Sequence, residues 1–266
     1  MPKVSRSTRY SDLTWPEIRD AADRGALIGI PIGATEQHGP HLPLFTDVII
    51  PETMALEVAE KLDMLVGPSI VFGNRSRPLA GGGEGFPGTL SVSAITFIKN
   101  LEDVICAYVK SGFRKIVLMN WHYENSNFIY EAAFLAYERM KIKGLRIMVC
   151  EATFAGISEE VVTALFGDEF PGWDVEHAAV LETSILLHLR PDLVLMDHAV
   201  DDEAKRHPSY DVVPPPKDFV PESGALWKAT RSSTEKGKIV WVDIVTRITA
   251  SIDFELGQER QIADGY

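Results

Sequence analysis

The stretch Leu27-Ile28-Gly29-Ile30-Pro31-Ile32-Gly33-Ala34-Thr35-Glu36-Gln37-His38 decides the fold. Its first half is apolar and bounded by glycine. It reads as a strand buried on both faces, the habit of a parallel sheet flanked by helices. The same order returns at Ile116-Val117-Leu118-Met119-Asn120, followed by His122-Tyr123-Glu124. In each triplet, Glu36-Gln37-His38 and His122-Tyr123-Glu124, a carboxylate and an imidazole stand two residues apart. On an extended backbone alternate side chains share a side, so each triplet can aim both groups at one point. Sites of open α/β sheets lie just beyond the carboxyl ends of the strands, where these triplets fall. Asp47 follows the first triplet closely. Five oxygen and nitrogen ligands are too many for one tetrahedral zinc and suit a pair of divalent ions sharing a carboxylate. A salt-bridge cluster at the end of a sheet has the same spacing, and spacing alone does not separate the two.

Outward from these strands the chain keeps alternating strand and helix. Thr14, Pro16 and Glu17 form a helix-start signature. Pro51 is expected to open a helix running through Met54, Val58 and Leu62, and Leu65-Val66 leads to a strand-like run at Ile70-Val71-Phe72. Helices are expected at 94–111, 126–143 and from near Val175 to Leu189, with a strand at 146–150. The alternation predicts an α/β fold with a mostly parallel sheet, in one domain over residues 1–266. The run Gly81-Gly82-Gly83-Glu84-Gly85-Phe86-Pro87-Gly88 lacks the Lys-Ser/Thr ending of a phosphate loop and reads as backbone close to the site. Residues 201–223, with Pro214-Pro215-Pro216, read as a long surface arm.

Composition narrows the partners. At 266 residues the chain can bury a full core, and its hydrophobic content of 45% and charged content of 24% are those of a globular protein. A net charge of -12 argues against nucleic-acid and anionic membrane surfaces, which need clustered Lys and Arg. Cys106 and Cys150 sit in apolar segments and read as buried thiols, a usage suited to a reducing compartment. No apolar run reaches the length of a membrane span and no apolar stretch follows the first basic residues, so a cytoplasmic protein is expected.

With these residues in place the chain resembles the creatininase family. The stretches that carry the likeness are PIGATEQHGPHLPLFTDVIIP, GGGEGFPGTLS, VLMNWHYENSNF and GWDVEHAAVLETSILLHLRPDLV, spanning about residues 28–196. The resemblance implies a three-layer α/β/α sandwich, a homohexamer, and two divalent ions, zinc with manganese in one position. It implies Glu36 and His122 on one ion, His38 and Glu124 on the other, and Asp47 bridging. It places Tyr123, Trp173, Asp174 and His177 on the substrate, with His177 as proton carrier and Glu124 beside it in catalysis. Three positions depart from the pattern: Thr153 where the family has a lid tryptophan, Ala80 for a serine, and Trp121 for a glycine. The function expected is metal-dependent hydrolysis of a small cyclic amide, creatinine to creatine first. The alternatives are another small cyclic or linear amide, such as a formamide, and a non-catalytic oligomeric binding protein.

Overall fold

The structure, a computed structural model, describes residues 5–80, 83–150, 156–202 and 209–257. Strand β1, Leu27–Ile32, is buried along its whole length. It pairs in parallel with β2, Met64–Val66, on one side and β3, Lys115–Asn120, on the other. β3 pairs in parallel with β4, Arg146–Cys150, giving the order β2-β1-β3-β4. Ile28 stands opposite Ile116 and Ile32 opposite Asn120, so β1 and β3 end level with one another.

Alternation sends side chains to both faces, and each face meets its own helices. Ile28, Ile30, Ile32, Ile116 and Leu118 pack with α1 (Trp15–Asp23), α3 (Ala94–Lys110) and α4 (Ser126–Met140) through Ile18, Phe97, Leu101, Ile105, Ile129 and Ala136. Leu27, Val117 and Met119 share the opposite layer with α2 (Thr46–Ala59), α5 (Glu159–Phe166), α6 (Val180–Leu189) and α7 (Thr234–Ile252). This is the expected α/β/α arrangement. α6 and α7 lie close because α7 presents Gly237 there; a Cβ at that position would strike the main chain of Ser184.

The Thr14 signature holds: its N–H donates to the Glu17 carboxylate at 2.8 Å as α1 begins. Three expectations need correction. Pro51 does not open its helix. α2 starts at Thr46, where the Thr46 N–H donates to the Pro43 carbonyl, and Pro51 lies inside. Asp47 is therefore held on a helical first turn. The run at 70–72 is no full strand. Ile70 bridges Ile32, but the next carbonyl, Val71, is taken by the Thr35 hydroxyl at 2.8 Å and pairing stops. The helix expected from Val175 begins at Val180, after a one-turn helix at Trp173–Val175, because Ala178 adopts a left-handed conformation (φ 52°) between them. α5 and α7 escaped the sequence reading. Cys106 and Cys150 are buried free thiols, as expected. Among the described residues no helix is long and apolar enough to cross a membrane.

Candidate active site

The level ends of β1 and β3 release two loops side by side. The first carries Glu36, Gln37 and His38 and runs into α2, whose first turn holds Asp47. The second carries Trp121 and His122, then a one-turn helix at Tyr123–Asn125. A third contribution comes from the His177 segment and the first turn of α6, which brings Glu182. Asn125 ties the loops together: its amide donates to the Gly33 carbonyl at 3.1 Å, and its Oδ1 accepts the Asn74 N–H at 2.8 Å.

Asp47 stands at the centre, buried, between two imidazoles. Its Oδ1 lies 3.2 Å from His38 Nε2 and its Oδ2 3.0 Å from His122 Nδ1. Glu36 Oε2 is 3.2 Å from the same His122 nitrogen, and Glu182 Oε2 is 3.6 Å from His38 Nε2. Two groups share Asp47: Glu36, Asp47 and His122, and His38, Asp47 and Glu182, each with ligand atoms within 4.8 Å of one another.

The other nitrogen of each ring fixes its tautomer. His38 Nδ1 meets the Glu36 carbonyl at 3.1 Å and His122 Nε2 meets the Asn74 carbonyl at 3.1 Å. Each carbonyl only accepts, so each of these nitrogens carries a proton. In the neutral rings His38 Nε2 and His122 Nδ1 then turn lone pairs toward carboxylate oxygens, a repulsion that a shared proton or a cation removes. Among the described residues His38 Nε2 is buried without a hydrogen-bond partner. Imidazole nitrogen and carboxylate oxygen are the donor set of zinc and manganese sites, and main-chain carbonyls holding the far ring nitrogens are the usual support for such ligands. The residues fit divalent metal.

The charges agree. Burial opposes a positive His38, but Asp47 and Glu182 outweigh it and raise its pKa well above the ordinary value. Burial likewise opposes a positive His122, and Glu36 and Asp47 outweigh it. Burial works against the Asp47 carboxylate too, but His38 and His122 hold it far below the usual range. The Glu36 carboxyl is lowered against burial by His122.

The sequence-predicted residues converge, with one change of geometry. Tyr123, Trp173, Asp174 and His177 line one cleft together with Glu36, Asp47, His122 and Glu124. Ala80, Trp121, Glu176 and Glu182 line it too. The second triplet, however, is not extended. The turn at Tyr123–Asn125 swings Glu124 away from Asp47, and its Oε2 lies 3.8 Å from His122 Nε2, the nitrogen on the far side of the ring. Burial raises Glu124 to about 7, and among the described residues its Oε1 has no hydrogen-bond partner. The position of His177 is set by Gln37 and by a ring contact with His38 at 4.4 Å between centroids. Thr153, Gly81 and Gly82 lie outside the described residues.

Sequence reasoning missed Glu182, whose signal was its place on the apolar α6 face five residues after His177. It also missed the segment 74–79, just before Ala80. The Asn74 carbonyl holds His122, Ser76 donates to Glu36, and Asp211 of the arm clasps Arg77 at 2.9 Å and the Leu79 N–H at 3.1 Å. Glu176 faces the start of α6, where its carboxylate oxygens accept the Leu181 N–H at 3.1 and 3.2 Å.

Fold and site together define an α/β/α protein with a buried carboxylate–imidazole centre suited to divalent metal. A sequence model of the creatininase family (creatinine amidohydrolase) matches residues 11–252. The chain is 37% identical over 241 residues to the creatinine amidohydrolase of Pseudomonas putida, covering 89% of this chain and 93% of that protein. It is 30% identical to the mycofactocin precursor peptide peptidase of Mycolicibacterium smegmatis, covering 82% and 81% of the two chains. It is also 30% identical to the 3-dehydro-scyllo-inosose hydrolase of Thermotoga maritima, covering 80% of this chain and 62% of that one. Solved creatininase structures superpose with TM-scores of 0.91 to 0.92 at 35–36% identity, covering 95–96% of this chain and 100% of theirs. They include a Zn–Zn form, a manganese form and a complex with creatine. The chain belongs to the creatininase family. It is an amidohydrolase acting on C–N bonds.

Proposed function

We propose that the chain is a two-metal amidohydrolase that opens a small cyclic amide, with creatinine to creatine as the reaction. The observation that carries the reading is the sharing of Asp47 between two carboxylate–imidazole groups at the floor of one cleft. Glu36, Asp47 and His122 would hold one divalent ion, and His38, Asp47 and Glu182 the other, zinc with manganese in one position. Such a pair of ions supplies a polarised carbonyl and a water acidified toward neutrality.

The chain's own residues do the rest. Trp173, packed against Phe170 at 4.6 Å between centroids, offers a fixed flat face for a planar ring, and Tyr123 and Asp174 stand at the rim. Hydrolysis adds the oxygen of water to the carbonyl carbon, breaks the C–N bond and leaves a proton on nitrogen. Glu124, poised near neutrality by burial, takes the proton of water, and His177, neutral at rest, receives that proton and carries it to the departing nitrogen. The reading extends to a single domain over 1–266, a homohexamer and a cytoplasmic location.

A second reading, another small amide in the same site, rests on Ala80 and Trp121. Both line the cleft and both depart from the family pattern. The peptidase and the inosose hydrolase among the relatives are consistent with a family whose pocket changes substrate. The test is metal-loaded protein assayed against creatinine, formamide and a short peptide. Turnover of creatinine well above the others supports the first reading, turnover of another amide supports the second, and no turnover of any counts against both. Light scattering checks the assembly.

A further inference from the structure

Trp121 is buried, 2% exposed, at the point where β3 gives way to the ligand loop. Its main-chain N–H donates to the Ile32 carbonyl at 3.1 Å, so the backbone that carries the ring is fixed by the sheet. The ring reaches across to α6, where the indole Nε1–H meets Glu182 Oε1 at 3.1 Å. The other oxygen of that carboxylate, Oε2, accepts the Ala178 N–H at 2.8 Å and faces His38 Nε2.

An indole nitrogen only donates, in one direction fixed by a rigid ring. Held on Oε1, it sets the rotation of the carboxylate about its last bond and leaves Oε2 as the oxygen turned toward His38. On the two-metal reading above, we propose that Trp121 is a positioning residue for Glu182. It presents one chosen oxygen to the ion held by His38, Asp47 and Glu182, and leaves the ion on Glu36, Asp47 and His122 untouched. The asymmetry follows from chemistry: an indole has a single donor, and it lies on Glu182, a carboxylate of the group with His38 and Asp47.

Trp121→Phe keeps a ring in the core and removes the donor. Competition titration with a chelator should show two ions on the wild-type protein. In the variant one ion should bind about 10–100-fold more weakly, the range for removing a hydrogen bond that orients a ligand, with the other within about threefold. Equal weakening of both ions would show a merely structural role and overturn the proposal, as would unchanged affinity for both. Indole ¹⁵N–H resonances of the wild-type protein give a measurement that survives if the variant does not fold. One of the five tryptophan signals should move on adding zinc and move in metal-free Glu182→Gln; no indole signal dependent on Glu182 overturns the proposal. Wild-type protein that binds no ion overturns the two-metal reading and the proposal with it, whereas two ions with an unaltered Trp121→Phe overturn the proposal alone.

Discussion

The side-chain amide of Gln37 lies 2.9 Å from Nε2 of His177, a residue 140 positions away, and donates to it. The direction is fixed on both sides. Gln37 Oε1 accepts the Gly39 N–H at 2.9 Å and Gln37 Nε2 also donates to the Gly224 carbonyl at 3.0 Å, so the amide cannot be flipped. His177 Nε2 therefore accepts, and the proton of the neutral ring sits on Nδ1. Burial and the neighbouring His38 both lower the pKa of this imidazole, in favour of the neutral ring.

A carboxylate in place of that amide should reverse the preference. Gln37→Glu is expected to raise the apparent pKa of His177, since an adjacent negative charge favours the imidazolium. The limb of the pH–rate profile that reports this group should move toward higher pH; a profile that stays put would remove Gln37 from control of His177.

His177→Ala should keep its metals and lose about 10²–10⁴-fold in kcat, the range for a general acid. Metal analysis of the variant decides between roles. Lost metal would make His177 a ligand, in keeping with its closeness to Glu36 and His38. Undiminished turnover would take it out of the reaction.

Asp47→Ala should lose both ions, because both groups of ligands share its carboxylate. Elemental analysis of protein purified without chelator reads this directly. Retention of both ions would sink the shared-ligand assignment.

Glu182 and Glu124 should separate. Glu182→Ala is expected to lose one ion and keep the other. Glu124→Gln, whose carboxylate stands outside both groups, is expected to keep both ions and lose about 10²–10⁴-fold in kcat. The reverse pattern would make Glu124 the ligand in the His38 group.

Metal binding should release protons. In chelated protein His38 and His122 have pKa values well above the ordinary 6.5, so near pH 7 both carry protons that an incoming ion must displace. Calorimetry in buffers of different ionisation enthalpy should find up to about two protons released, and affinity should rise with pH. The stabilising effect of the raised imidazoles is fully present below pH 6.5 and is lost as pH rises through their raised values. That of Asp47 and Glu36 is present above their ordinary 3.8 and 4.5 and is lost as pH falls through their lowered values. Chelated protein should thus lose stability at both ends, and metal should protect the alkaline end. Thermal unfolding that shows no alkaline loss without metal would contradict this.

Much of this was legible in the chain. The unbroken apolar runs at Leu27–Ile32 and 116–120 specify strands covered on both faces, because only a parallel sheet between helices buries such runs completely. The helix start at Thr14 was readable since a capping box is local chemistry. The start of α2 was not. Proline favours a first turn, but the helix starts earlier, at Thr46, with Thr46 and Asp47 buried and the Asp47 main chain against Gly33 just past β1.

The residue types and spacing at Glu36, His38, Asp47, His122 and Glu124 determined by themselves that acid and imidazole would gather at the carboxyl end of the sheet, because strand ends and side-chain alternation are properties of the local chain. They did not determine which carboxylate would face which ring. The tertiary structure decided that. The turn at Tyr123–Asn125 carries Glu124 to the far side of His122, and the left-handed Ala178 lets α6 bring Glu182 to His38 across 144 residues of chain. A two-residue spacing fixes direction only while the backbone stays extended. A contact between distant segments is fixed by how the layers pack, which no local pattern contains.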